Sequence, residues 1–296
     1  MADLFSHTVR TLFRRELLPV RLRWWFAAEG MCDWYRVLER DLASHLGGRD
    51  DARAILSRIS VAMFHRRYDV LRRAHLRLPD RNADPRAVAL LFGGLYRVAS
   101  KPDSAWIFDA VGGAPRTMRD HARAELRMAS LDANARWEEV TTHLGELLIA
   151  LTDRLPEHLP RARPILGEIC FAAGERFARR VARAYDLPIG GAPNPELAIE
   201  LLRMSEYVFR VNPDHWGEGR AHDPTGWLEG NACPWYTAPG WNGGHCGIFG
   251  QFQSGISAAF GLRYQLSKTI PKHGGGTCRV DLKPIALRRS VEGAAL

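Results

Sequence analysis

The sequence predicts an α+β fold, a mostly helical body with a small antiparallel β-sheet in the C-terminal third. Two observations lead there. Residues 1–190 place apolar side chains at helical spacing in segment after segment, and the composition changes sharply afterwards. From Val211 to Cys278 the chain holds 14 of its 27 glycines, four of its nine tryptophans and three of its five cysteines. Glycine at that density allows tight turns and close backbone approach, and tryptophan supplies large, stiff walls.

In the body, Ala52, Ile55, Ile59, Met63 and Tyr68 recur at helical spacing over residues 49–77, with arginines on the other face. Asp84 before Pro85 reads as an N-cap opening a helix to about Ser100, and Pro115 as the start of another. Residues 133–154 and 163–186 repeat the pattern, and the body is expected to form a single core. The stretch LPIGGAPNP (187–195) reads as a hinge. It divides a helical body, 1–190, from a Cys/His/Trp/Gly-rich α+β part, 191–296, expected to pack with the body as one unit. Beyond it, 196–204 fits a helix and SEYVFRV (205–211) a strand. Residues 248–260 fit a short helix with Ile248, Phe252, Ile256 and Phe260 on one face. Residues 263–270 and 277–285 fit a hairpin around PKHGGGT.

Composition narrows the partners. With 46% hydrophobic and 25% charged residues the balance is globular. No run approaches the ~18 uncharged apolar residues of a membrane span, and the N-terminus lacks a signal-peptide core. A cytoplasmic protein with no membrane partner is expected. The net charge of +8 invites a nucleic-acid reading. However, 37 of the 41 basic residues are arginines scattered over different segments, so no nucleic-acid partner is expected. An odd count of five cysteines argues against a disulfide framework. Cys32 and Cys170 lie in apolar helical settings, where free cysteine acts as a small hydrophobe.

Cys233, His245, Cys246, His273 and Cys278 form the chemically suggestive set. Cys233 precedes Pro234, which favours an extended backbone there. His245 and Cys246 stand side by side at a predicted helix start, where the helix dipole and a nearby imidazolium would favour a thiolate. Three readings stay open. The thiols are packed beside surface histidines; or Cys233, Cys246, Cys278 and one histidine form a Cys₃His zinc site; or they line a reactive pocket. Their spacings of 13 and 32 residues lack the short knuckle of zinc fingers. Glu229, four residues before Cys233, is the carboxylate best placed for acid or base work, against a solvated loop acid. Trp216, Trp227, Trp235, Tyr236 and Trp241 fit the walls of a pocket for a flat or cationic ligand, or equally the core of a small sheet.

Three segments, NACPWY (231–236), GHCGIFGQF (244–252) and YQLSKTIPKHGGGTCRVDL (264–282), resemble the L-2-amino-thiazoline-4-carboxylic acid hydrolase family. The resemblance is confined to the C-terminal third. It departs from the family where acidic residues often follow the second cysteine and open the hairpin; here stand Gly250, Gln251 and Ser267. What it implies is a hydrolase that opens a small N/S-containing heterocycle at an amidine-like carbon. Cys246 would attack as thiolate while His245 or His273 protonates the leaving atom, or a histidine or Glu229 would activate water. No cofactor is implied, with zinc as the alternative, and a homo-oligomer is left open. The terminal hairpin also resembles, more weakly, that of vinyl-reductase-like small-molecule sensor domains, which implies a binding module with a structural zinc site.

Overall fold

The computed structural model describes residues 2–73, 106–107, 133–209, 216–231, 233–236 and 238–285. These form eight α-helices and one four-stranded sheet, the α+β class expected. Helices α1 (Ala2–Arg14), α2 (Val20–Ala43), α3 (Arg49–Arg73), α4 (Ala133–Arg154), α5 (Ala162–Tyr185) and α6 (Pro195–Phe209) come first. The hairpin β1 (Gly217–His222) and β2 (Thr225–Gly230), α7 (Gly243–Ala259), β3 (Leu262–Lys268), the single turn α8 (Ile270–His273) and β4 (Cys278–Pro284) follow. The helices expected from Asp84 and Pro115 fall outside the described residues.

Two expectations are corrected. Residues 205–209 continue α6 instead of forming a strand. Their strand-like side chains extend the apolar face begun by Leu201 and Leu202, and Tyr207 is buried with an edge-on contact to Phe13; packing outweighs local propensity. The body also does not close on one core. One buried cluster joins α2, α3, α4 and α5 to Trp235, Trp241 and Ile248. A second joins Phe13, the α6 face and Phe260 to Leu228, Leu262, Val280 and Leu282. Each cluster takes side chains from both sides of residue 190. Segment 187–195 is itself tied to the end of α7, by Gly190 N–H to Ala259 O (3.3 Å) and Asn194 N–H to Phe260 O (3.0 Å).

Helix α7 begins at Gly243, five residues before its expected start at 248, because Asn242 and His245 cap it. The Asn242 side chain accepts from Gly244 N–H (2.8 Å) while His245 Nδ1 accepts from Asn242 N–H (3.1 Å), a reciprocal capping box. On one side α7 touches α5 backbone to backbone. A Cβ on Gly174 would sit 1.8 Å from the Phe252 carbonyl oxygen, and one on Gly255 would sit 2.0 Å from that of Phe171.

The sheet is antiparallel in the order β1-β2-β4-β3. The hairpin β1–β2 carried no signal recognised in the sequence. Leu228 pairs with Val280 and Gly230 with Cys278, while Tyr264 pairs with Leu282, with an irregularity between Leu266 and Lys268. Strand alternation therefore turns Leu228, Tyr264, Leu266, Cys278 and Val280 toward the helices, and Trp227, Glu229, Arg279 and Asp281 away from them.

Candidate small-molecule site

Between the inner sheet face and helices α6 and α7 lies a cavity of about 130 Å³. Residues 233–236 and Trp241 cover it, and Trp34 of α2 is the one lining residue contributed by 1–190 among the described residues. An apolar cavity of roughly 150 Å³ accommodates benzene, so the space suits one small ring.

Eight of the described lining residues are aromatic: Trp34, Phe209, Trp235, Tyr236, Trp241, Phe249, Phe252 and Tyr264. Trp235 anchors the cover. Its indole N–H donates to Thr141 O (2.7 Å), tying Trp235 to α4. Its ring meets Phe249 edge-on at 4.7 Å between centroids and Trp241 at 5.4 Å. Rings held by such contacts keep a cavity open because they do not collapse into it.

Cys233, Cys246 and Cys278 all line this cavity. Each sulfur accepts N–H groups: Cys233 from the backbone of Trp235 and Tyr236, Cys246 from the Trp241 indole (3.2 Å), Cys278 from Ile270 N–H (3.3 Å). Such donors favour a thiolate, but burial outweighs them. Cys233 is pushed up to about 12, and Cys246 and Cys278 are also raised, burial being the largest cause in all three. The expectation that its helix-start position lowers the Cys246 pKa is thus corrected. Desolvation dominates, and the nearest partner of its sulfur is an indole, not an imidazole.

The predicted histidines lie elsewhere. His245 is buried, caps α7 and stacks on Trp241 (5.2 Å between ring centroids), but does not line the cavity. Adjacent helical residues point about 100° apart, which separates it from Cys246. His273 is exposed at the end of α8, where its Nδ1 accepts from Thr269 N–H (3.0 Å). Neither His245 nor His273 joins the three thiols at the cavity, and among the described residues no group of three or more ligating side chains is placed to hold a metal ion.

Glu229 forms part of the wall, yet its carboxylate is engaged on the outer sheet face. It accepts from the Thr277 hydroxyl (2.8 Å) and Arg279 (3.0 Å). These two partners hold its carboxyl below the usual range, so it stays anionic and donates no proton near neutrality. Trp227 shares that face, with the Arg279 guanidinium 4.9 Å from its ring centre. Trp216 is exposed. Neither tryptophan lines the cavity, whereas Trp235, Tyr236 and Trp241 do.

The polar end of the cavity was missed from sequence. Tyr264 donates its hydroxyl to Gln253 Oε1, and Gln253 Nε2 lies 3.5 Å from Glu206 Oε1 as donor. Tyr264 is pushed well above its ordinary range by burial and by the Glu206 charge, so it remains a neutral donor. This bond orients the Gln253 amide, its NH₂ toward Glu206. A signal for Gln253 did exist: Cys246, Phe249, Gly250 and Gln253 stand at i, i+3, i+4 and i+7, a polar residue ending an apolar helical stripe.

No family model, no curated protein and no solved structure matches the chain.

Proposed function

We propose that the protein binds one small, flat, mostly apolar molecule in this cavity, as a binding module of the sensor class that its terminal hairpin resembles. The observation that carries this reading is the wall itself. Eight aromatic rings surround a space for one ring, and three thiols within it are kept protonated by burial. Nucleophilic catalysis needs a thiol beside a base, and Cys246 sits beside an indole. The test is a panel of small aromatic compounds titrated against the full chain, read by melting temperature and tryptophan fluorescence. Saturable quenching with a rise in melting temperature is expected, without consumption of the compound. No response to any compound would overturn the reading.

Ring-opening hydrolysis is the second reading. Its support is the convergence of three thiols on one cavity, together with the resemblance of the segments that carry them. Incubation with thiazolines and cyclic amidines, followed by mass spectrometry, tests it. If Cys246 is the nucleophile, Cys246→Ser abolishes turnover while ligand binding persists, and the rate climbs with pH because the thiol starts protonated. Turnover undiminished in Cys246→Ser would remove the thiol mechanism.

A further inference from the structure

Among the described residues five large apolar side chains are exposed. Three of them, Leu17 (61%), Leu22 (44%) and Trp25 (40%), fall in one nine-residue stretch where α1 turns into α2. Scattered apolar residues on a surface need no explanation, whereas a cluster does. The stretch from Arg14 to Trp25 also holds four arginines and one carboxylate, Glu16.

The backbone holds Leu17 outward. Leu17 N–H donates to Leu12 O (2.9 Å) and Glu16 N–H to Phe13 O (3.0 Å), the two bonds that close a helix in a Schellman turn. That turn needs a left-handed residue, and Glu16 takes the place with φ 54°, where glycine is the residue that enters freely. The Glu16 carboxylate accepts from Arg203 of α6 (2.8 Å), which ties the turn to the body. The residue after a Schellman turn frequently lays its side chain back on the helix; Leu17 occupies that position and stays exposed. Along α2, Leu22 and Trp25 are three residues apart and share a helix face. Of the arginines, Arg14 reaches Glu200 (3.6 Å) and Arg23 lies over the Trp137 ring (3.8 Å). Arg15 and Arg21 are exposed and form no ion pair among the described residues.

We propose that this turn docks on an anionic lipid surface, with Leu17, Leu22 and Trp25 entering the headgroup boundary and Arg15 and Arg21 meeting the lipid phosphates. Leucine and tryptophan beside arginine are the side chains by which a protein lies on a bilayer without crossing it. No described helix is long and apolar enough to cross one, and surface docking needs none. The net charge of +8 favours the same surface. A second copy of the chain fits less well, because a twofold contact through this turn would bring the arginines of both copies together. Docking of this kind is independent of what the cavity binds.

The full-length protein is sedimented with vesicles of phosphatidylcholine alone and of phosphatidylcholine containing about 30% phosphatidylserine. Binding to the anionic vesicles is expected to be about tenfold stronger or more and to fall with added salt, since each arginine near the surface contributes about fivefold. Leu17→Ser combined with Leu22→Ser is expected to weaken it about tenfold. Ile285→Ser, which removes a similarly exposed side chain elsewhere, should leave it within about twofold. Arg15→Gln combined with Arg21→Gln is expected to remove most of the preference for phosphatidylserine. No binding to either vesicle overturns the proposal, as does binding that the paired serines leave unchanged, which is the net charge acting without this turn. Equal binding to both vesicles overturns it too. So does concentration-dependent dimerisation, lost in the paired serines, of a protein that ignores vesicles; the turn then belongs to a second copy. Should the paired serines not fold, the paired glutamines decide, and an unchanged preference for phosphatidylserine overturns the proposal.

Discussion

Helix α7 is packed by opposite rules on its two sides. Toward α5, Gly174 and Gly255 let backbone meet backbone, with no room for a single added carbon. Toward the sheet, Cys246, Phe249, Gly250 and Gln253 face open space. Phe252 serves both sides, since its carbonyl oxygen abuts Gly174 and its ring lines the cavity. The contrast shows how a small fold keeps a hole: one side is locked by the smallest residues, and the other is propped by large rings that cannot fold inward.

The locked side is the easier to break. Gly255→Val is expected to destabilise by about 3 kcal/mol or more, because backbone atoms at 2.0 and 2.8 Å cannot swing aside. Urea denaturation checks it, and a loss below about 1 kcal/mol would mean that α7 slides freely on α5. Next comes the prop. Trp235→Phe keeps a ring but removes the donor to Thr141, and a loss of roughly 1–2 kcal/mol is expected in the same assay. It should also weaken any ligand of the cavity, which Gly255→Ala, if folded, should do less.

A pH series tests the open side. An unfolded thiol titrates near 8.5, whereas Cys233 in the fold holds its proton to about 12. Between those values the native state binds more protons than the unfolded chain. The contribution is full below about pH 8.5 and is lost as pH rises toward 12. Urea midpoints should therefore fall between pH 8 and 10, and Cys233→Ala should flatten that fall; an equal fall in the variant contradicts the assignment. The smallest effect returns to α7. Nothing lies within 4 Å of a Cβ added to Gly247, so Gly247→Ala should stabilise by about 0.5–1 kcal/mol through helix propensity alone.

The long helices were legible because their apolar spacing repeats over many turns, as in α5. The sheet was legible in half. β3 and β4 carry alternating large side chains, whereas β1 (GEGRAH) holds two glycines and one apolar residue in six positions and signals nothing alone. Of the site, the cysteines, Trp235, Tyr236 and Trp241 stood out by rarity of type. Rarity says nothing of direction, so it also marked His245, which faces the helix end, and Trp216, which faces solvent. Glu206 stayed hidden because Glu is common on helix surfaces, and its segment reads as a strand from its own residues. Only the buried Tyr207 beside it reveals which way that helix turns.

The strand order β1-β2-β4-β3 has a consequence for the sequence of assembly. The two hairpins join only along β2–β4, where Glu229 meets Arg279 across 50 residues of chain. Each hairpin is local, but the wall that closes the cavity exists only after that long loop, α7 included, has been ordered. Before then the pocket has no place in the molecule. A bound ligand should accordingly slow unfolding and leave the refolding rate nearly unchanged, a kinetic lock applied after folding is over.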